Sequence, residues 1–382
     1  MEIKNLKKAA QRIKKAVKDQ ETIIISSDTD LDGTSAAIIL KEAISSLGGK
    51  ISLVYFPDRT KEGYGLNKTS LEIFKKYLPA LLILLDSGIG NIKEVHLAKK
   101  AGFEIIILDH HEILDSLPEA DIIVDPKQEG DNHPFKGLAA AGIVFKVASY
   151  LMGPKITPHL RRDFVELASL ATIADMMPRK DDNEDLIREG LAFLEGSWRP
   201  GLKAFMKNAQ TKELGDINLK VSKLISLLNI RDVEDSFPAS WRLLTARSEK
   251  EAEGLIKTLF KKSKLRKKKI EKMLKDIEKK IVKKEEPVIF EGDKSFDSIL
   301  MSSAASALSR KYSKPAFLYK KMEKESVGTV RSLNGLNSVS LMKRCSKYLL
   351  TYGGHPQASG FRVKNSKLEE FKGCLIKEIN NI

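Results

Sequence analysis

A doubly wound α/β domain, a long connecting helix and a second, smaller α/β domain make up the fold class this sequence predicts. Three observations carry it. Residues up to about 200 alternate short apolar runs with helical stretches, the pattern of a parallel sheet with crossover helices. Three of those runs, Thr22 to Ile25, Leu81 to Leu85 and Ile105 to Leu108, are apolar and largely β-branched, as strands buried on both faces are. After Pro287 a second strand-and-helix pattern begins.

The elements follow in order. Met1 to Gln20 is a Lys-rich helical pattern without an apolar core, so it is not a secretory signal. Ile51 to Phe56 reads as a strand. It leads into a turn-rich loop, Pro57-Asp58-Arg59 and Glu62-Gly63-Tyr64-Gly65-Leu66-Asn67. Ile122 to Val124 is a strand ending at the turn signal Asp125-Pro126. Phe164 to Ala174 reads as a buried helix, followed by Asp175. Arg199-Pro200-Gly201 opens a segment that reads as helical through Thr258.

Ile256, Phe260, Ser263, Lys267, Ile270, Leu274, Ile277 and Ile281 then alternate steps of four and three. That is the seam of a long amphipathic helix, ended by Pro287. In the last part, Val288 to Phe290, Ser298 to Met301, Ala316 to Tyr319 and Gly328 to Ser332 read as strands. Ser303 to Tyr312 and Ser338 to Leu350 read as helices, and Gly353-Gly354-His355-Pro356 as a loop. The predicted domains are residues 1–200, 201–286 and 287–382.

Composition bounds the function. The 382 residues carry a net charge of +15. Residues 257–284 hold 14 basic and 3 acidic side chains; a solvated helix face and a polyanionic partner both fit such a run, and charge of that density points to a polyanion more than the charge of an average enzyme does. No apolar run approaches the roughly 20 residues that span a membrane. Two cysteines, Cys345 and Cys374, exclude a disulfide framework and fit a reducing cytoplasm.

Three islands close the buried strands: Asp28-Thr29-Asp30-Leu31-Asp32-Gly33, Asp86-Ser87-Gly88 and Asp109-His110-His111. The carboxyl ends of parallel strands share one crevice. The islands therefore place five or more carboxylates and an imidazole together, which is untenable without cations. Two divalent metals neutralise such a site, and paired metals serve phosphoryl chemistry. Hard carboxylates with one His favour Mn²⁺ or Mg²⁺ over structural zinc. Taken alone, an Asp-rich turn is a capped turn, and Gly-Gly-His is a helix stop. Their joint order at strand ends is the signal. His96, His133 and His159 read as ordinary surface or turn residues.

With those residues in place, the sequence resembles the DHH phosphoesterase superfamily, and within it the RecJ-like nucleases. The Asp28 to Gly33, Asp86 to Gly88, Asp109 to His111 and Ile173 to Pro178 blocks resemble its four motifs. Gly353-Gly354-His355-Pro356-Gln357-Ala358-Ser359-Gly360 resembles the DHHA1 signature. Pro57-Asp58-Arg59 with Glu62 to Leu66, Gly137 to Gly142, Arg199 to Leu202 and Val330-Arg331-Ser332 resemble RecJ blocks.

The resemblance implies two α/β domains joined by a long helix, with the site in the groove between them. It implies that Asp28, Asp30 and Asp86 hold one metal, and that Asp32, Asp86, His110 and Asp175 hold the other. It places His111 near the scissile phosphate, and makes Arg331, Ser332, Gly353, Gly354 and His355 substrate contacts. Departures are Asp28 where many relatives have His, Asn183-Glu184 where bacterial RecJ has Asn-Arg, and a shortened Asn229-Ile230-Arg231. The sequence stops soon after the DHHA1 signature, before the OB-fold of bacterial RecJ. The Lys-rich form resembles archaeal RecJ-like proteins, some of which associate with GINS or the Hef helicase.

The expected function is a metal-dependent single-strand exonuclease releasing mononucleotides in DNA repair or replication, with RNA as a further substrate. Two alternatives stand beside it: a phosphodiesterase for short oligonucleotides or cyclic dinucleotides, and a structural subunit of a helicase assembly. Polarity, physiological metal and oligomeric state stay open.

Overall fold

The computed structural model describes residues 2–59, 61–113, 116–230, 232–281, 286–333 and 335–381. Arg231, and residues 282–285 at the expected end of the long helix, lie outside them. The chain divides into two units, Met1–Phe260 and Lys261–Ile382.

The first unit opens with α1 (Leu6–Lys18), β1 (Ile23–Ser27), α2 (Leu31–Ser46), β2 (Ile51–Tyr55), α3 (Lys68–Phe74) and β3 (Leu81–Leu85). It continues with α4 (Ile92–Ala101), β4 (Glu104–Leu108), β5 (Ile122–Val124), α5 (Ala140–Met152), α6 (Pro158–Ala174) and α7 (Asp182–Leu194). The five strands pair in parallel in the order β2-β1-β3-β4-β5.

The continuous apolar runs have a plain cause. Side chains alternate across a strand, so Ile23, Ile25, Ile83 and Ile106 face one core while Ile24, Leu82, Leu84 and Ile107 face another. The first core is closed by α1, α2, α5 and α6, and the second by α3 and α4. Each fully buried Ile or Leu contributes about 1.5–3 kcal/mol.

Register then places the site. Ser27 pairs with Leu85, and Leu85 with Leu108. The next residues, Asp28, Asp86 and Asp109, therefore leave the sheet in one row. Their amides continue the ladder: Asp28 N–H donates to Leu85 O at 3.3 Å, and Asp86 N–H to Leu108 O at 3.0 Å. The chain reverses its direction across the sheet between β1 and β3, the switch point where open α/β sheets form their crevice.

The segment after Arg199 is less uniform than expected. It comprises α8 (Pro200–Lys207), α9 (Ala209–Lys212), α10 (Ile217–Leu228), a hairpin of β6 (Val233–Glu234) and β7 (Phe237–Pro238), α11 (Ala239–Leu244) and α12 (Glu249–Ile281). The hairpin breaks the expected helical run because Asp235 and Ser236 take left-handed φ of 52° and 67°, a conformation no helix accepts. Arg199, immediately before α8, forks onto Glu42 at 2.6 and 3.1 Å and donates to Leu244 O. The seam of α12 faces inward except at the lysine that interrupts it. Lys267 is exposed, while Arg266 and Met273 turn inward.

The second unit adds β8 (Ile289–Asp293), α13 (Ser298–Tyr312), β9 (Ala316–Lys321), β10 (Glu325–Arg331), α14 (Ser338–Arg344), β11 (Leu349–His355), β12 (Ala358–Lys364) and α15 (Leu368–Asn380). Its sheet order is β11-β12-β10-β9-β8. Ser298 to Met301 is the first turn of α13, not a strand. The Asp297 carboxylate accepts from Ile299 N–H at 2.9 Å and caps the helix, and a short apolar run alone fits either state. The expected helix to Leu350 stops at Arg344, and Leu349 to His355 is a strand. Gly353, Gly354 and His355 therefore lie on β11 rather than in a loop. Gly354 has φ of 125°, and a Cβ there would meet Ala358 O at 2.7 Å, so glycine is required for the β11–β12 hairpin. Cys345 and Cys374, read as thiols of a reducing compartment, are joined by a disulfide bridging 29 residues. Among the described residues, no helix is long and apolar enough to cross a membrane.

Candidate metal centre

The Asp28 to Gly33 turn splits its three carboxylates. Asp28 ends β1 and is buried. Asp30 caps α2, accepting from Asp32 N–H at 3.0 Å and Gly33 N–H at 3.2 Å. Asp32 sits in the first turn of α2 and is clamped by the N-terminus of α5: Ala140 N–H and Ala141 N–H each donate to it at 2.8 Å. Helix N-termini favour such anions. Gly33 makes the turn sterically possible, since a Cβ would meet Asp28 O at 2.5 Å and Asp28 C at 2.9 Å. Gly33→Ala is expected to cost about 1–3 kcal/mol of stability, the usual penalty of overpacking. Urea unfolding measures it, and an unchanged midpoint would refute the constraint.

Asp86 leaves β3 with φ of 53°, a left-handed conformation of the kind that clusters at functional sites. His110 Nε2 lies 3.3 Å from Asp86 Oδ1, 3.5 Å from Asp175 Oδ2 and 3.6 Å from Asp32 Oδ2. One imidazole nitrogen thus faces three carboxylates from three elements. Asp175, the C-cap of α6, is carried to the crevice by the buried helix the sequence indicated. Asp109 accepts from Ile89 N–H at 3.2 Å and from His110 N–H at 2.8 Å, and pairs with His111 Nδ1 at 2.7 Å.

These charges are costly as they stand. Burial, then Asp30, pushes Asp32 up to about 7. Burial, then Asp30 and Asp32, lifts Asp86 well above the carboxylate range. Burial and Asp32 do the same to Asp175. Burial pushes Asp109 up as well, but the charge and hydrogen bond of His111, with His110 and the Ile89 N–H, together hold it below the ordinary carboxylate range.

The donor set fits divalent cations. Ligand atoms of Asp28, Asp30 and Asp86 lie within 4.8 Å of one another, as do those of Asp32, His110 and Asp175. Asp86 sits between the two groups, 3.3 Å from His110. Carboxylates with one imidazole are a ligand set for Mn²⁺ or Mg²⁺.

Two residues take part that the sequence reading used only as family markers. Arg59 Nε donates to Asp28 Oδ1 at 2.6 Å, and its Nη2 reaches Asp28 and Asp30. Its guanidinium lies over the Tyr64 ring at 5.3 Å, and Tyr64 O–H donates to Asp86 O at 2.6 Å. Glu62 staples this loop by accepting from Tyr55 O–H at 2.6 Å and Asp58 N–H at 3.1 Å. Arg59 is thus the counter-cation of the carboxylates that would bind a metal. Arg59→Gln is expected to raise Mn²⁺ affinity about tenfold, or about 1.4 kcal/mol, by isothermal titration calorimetry; weaker binding would refute the competition. The signal available in the sequence was the cation itself, on a Gly-rich loop after β2.

His133 is not a surface residue. It is buried, with Nδ1 2.7 Å from Phe135 O. Asn183, a residue of the fourth-motif neighbourhood, donates to Gly137 O at 2.7 Å and Pro178 O at 3.0 Å, which ties down the loop after Asp175.

The second unit gathers the other expected residues. Arg331 and His355 both pair with Ala358 from opposite sides, so they share one sheet end and one face. Arg331 is half-buried and donates to Val330 O at 2.8 Å and to Ser302 Oγ. Ser332 donates its hydroxyl to Leu336 O at 2.9 Å, which commits it to the backbone. Gly353 and Gly354 pair with Gly360 and Ser359 in the β ladder.

Comparison with known proteins agrees with this architecture. Residues 22–172 match the DHH family, N-terminal domain, and residues 285–381 match the DHHA1 domain. The single-stranded-DNA-specific exonuclease RecJ of Bacillus subtilis is 32% identical over 387 residues, covering 100% of this chain and 48% of that protein. The RecJ of Thermus thermophilus is 26% identical, covering 97% of this chain and 54% of that protein. The chain therefore spans about half the length of these relatives. A crystal structure of exonuclease RecJ bound to manganese superposes with a TM-score of 0.80 at 25% identity, covering 100% of this chain and 96% of that one. The Mn²⁺ complex of Thermus thermophilus RecJ shares the fold, with a TM-score of 0.85 at 24% identity over 55% of its length. The chain carries a DHH domain and a DHHA1 domain and is homologous to the RecJ exonucleases.

Proposed function

We propose that the protein is a metal-dependent exonuclease that hydrolyses single-stranded DNA to mononucleotides. The observation that carries this reading is His110 Nε2 within 3.6 Å of three carboxylates, two of them buried, beside the Asp28–Asp30–Asp86 group. Support comes from the RecJ relatives, which are named as single-strand-specific exonucleases.

In this reading Asp28, Asp30 and Asp86 hold one divalent cation; Asp32, His110 and Asp175 hold the other, with Asp86 shared. Bound there, divalent cations would supply Lewis-acid activation of a phosphodiester and charge neutralisation. The chain's own residues prepare the ground. The α5 N-terminus fixes Asp32. Asp109 fixes the His111 ring beside the shared carboxylate, where the imidazolium faces the scissile phosphate. Asp109 and neighbouring carboxylates keep His111 protonated more readily than a free His, against the effect of burial. Arg331 and His355 contact substrate phosphates from the sheet end of the second unit, with Gly353 and Gly354 keeping that edge open. Ser332 holds the hairpin that presents them.

A single-stranded 20-mer, labelled at the 5′ end in one tube and the 3′ end in another, tests this with Mn²⁺ and with EDTA. The expected result is metal-dependent release of mononucleotide from one label and stepwise shortening of the other, which also gives the polarity. Hydrolysis of a dinucleotide but not the 20-mer would replace this reading with a small-substrate phosphodiesterase. Silence on both would favour a structural subunit. Association with a GINS complex or a Hef-type helicase, and work in repair or replication, extend the reading to partners; affinity capture with purified candidates decides them.

A further inference from the structure

The basic stretch is usually read as a solvated helix face. The structure gives it a more specific form. The part of α12 within the second unit buries Met273, Ile277 and Ile281 against α13, with Ile270 and Leu274 beside them. At 3.6 residues per turn, the side of the helix opposite that seam carries Lys261, Lys264, Lys268, Lys272, Lys275 and Lys279, all exposed. These six fall within an arc of about 80°. Every position on the line is lysine. The acidic residues of this part, Glu271, Asp276 and Glu278, lie to either side of it. Among the described residues, Lys279 is the one member with an acidic neighbour, Asp276 at 3.7 Å. Leu265, 52% exposed, stands beside the line as an apolar surface among the cations.

Basic residues also stand off the line, at Lys262, Arg266, Lys267, Lys269 and Lys280, and Glu271 and Asp276 are i,i+4 partners of Lys275 and Lys272, but no acidic residue falls within the lysine arc itself. We propose that it is a docking track for an extended single strand of nucleic acid. The inference takes the identity of the polyanion from the single-strand reading above. The lysines advance one per turn, about 5.4 Å each, over about 27 Å. One strand of a duplex rises about 3.4 Å per nucleotide and winds through most of a turn over that length, so it would leave a straight line of cations after a few phosphates. An extended strand can follow it throughout. Long flexible ammonium stems then neutralise successive phosphates, and Leu265 offers a surface to a splayed base.

The test is fluorescence anisotropy of a labelled dT20 and of a 20-base-pair duplex, with the full chain in EDTA, from 50 to 200 mM KCl. Replacing all six lysines by Gln keeps helix propensity nearly constant. It is expected to weaken dT20 binding at low salt at least about tenfold, and to flatten the slope of log K against log salt by up to about 4, or about 0.7 per lost phosphate contact. A six-Arg variant should restore both. The Lys268→Gln, Lys272→Gln double variant gives a fractional loss should the sixfold change disturb the helix, which circular dichroism reports. Duplex binding should change far less. Wild-type affinity in the Gln variants, or equal losses for duplex and single strand, would overturn the track. Cleavage of the 20-mer in Mn²⁺ is read separately on the wild type. A wild type that cleaves while the Gln variants bind unchanged sinks the track alone. A wild type that never cleaves, with binding lost in the variants, sinks the nuclease reading alone.

Discussion

Asp86→Asn is expected to remove phosphodiesterase activity by about 10³-fold or more, the scale of losing one preorganised electrostatic group, while making the metal-free protein more stable. The two effects share one cause. Asp86 lies at the junction of both candidate cation groups and is buried with Asp30 and Asp32 as its principal repulsive neighbours. Asparagine keeps the shape and one oxygen but drops the charge. The metal-free fold is then relieved of a like-charge cluster, and its melting temperature should rise by about 2–4 °C for each kcal/mol relieved. Added Mn²⁺ should no longer raise it as in the wild type. Differential scanning fluorimetry with EDTA and with MnCl₂, beside the 20-mer assay, reads all of this. Activity within a few fold of wild type, or a lower metal-free melting temperature, would remove Asp86 from the centre of the site.

The second large effect is a reversal of pH dependence by metal. Asp32 is raised to about 7, Asp86 and Asp175 lie well above their ordinary values, and Asp125 is raised to about 7 by burial. For these groups the folded state binds more protons than the unfolded chain, so stability falls as pH rises from about 4 through their folded values. His111, raised by its carboxylate neighbours, adds stability that is also lost as pH rises. The lowered acids, Asp109, Asp131 and Asp182, act in the opposite sense. Their contribution is lost only below the ordinary carboxylate range, outside this window. Metal-free protein should therefore melt lower at pH 8 than at pH 5. Mn²⁺ competes with protons for the same oxygens, so its stabilising effect should grow with pH. At a hundredfold excess over Kd it is worth about 2.7 kcal/mol, or about 5–10 °C. Metal-free protein that is more stable at pH 8 than at pH 5 would contradict the charge cluster.

Much of the site was legible because parallel strands deliver their ends to one place. Asp28, Asp86 and Asp109 each follow an unbroken apolar run, and in-register pairing puts them in a row. Asp175 was legible because a buried helix ends on it. Arg59 and Tyr64 were visible as motif residues but not as parts of the centre. Nothing in a linear sequence says that a loop after β2 folds back over β1 and β3. The second unit was read less well. Ser298 to Met301 and Leu349 to His355 are short stretches whose state depends on a cap and on a partner strand, not on their own periodicity.

By itself the sequence determined the parallel sheet, the order of the acidic islands, the long basic helix and the ligand chemistry, because these follow from periodicity, strand-end position and residue type. Only the tertiary structure decided which carboxylates meet which. It divided Asp28 and Asp30 from Asp32, seated Asp32 on the α5 N-terminus, brought Arg59 in as their counter-cation, and closed Cys345 on Cys374. The Asp32, Arg59 and disulfide contacts join residues from 29 to 109 positions apart. They depend on register and helix packing, which no local pattern encodes.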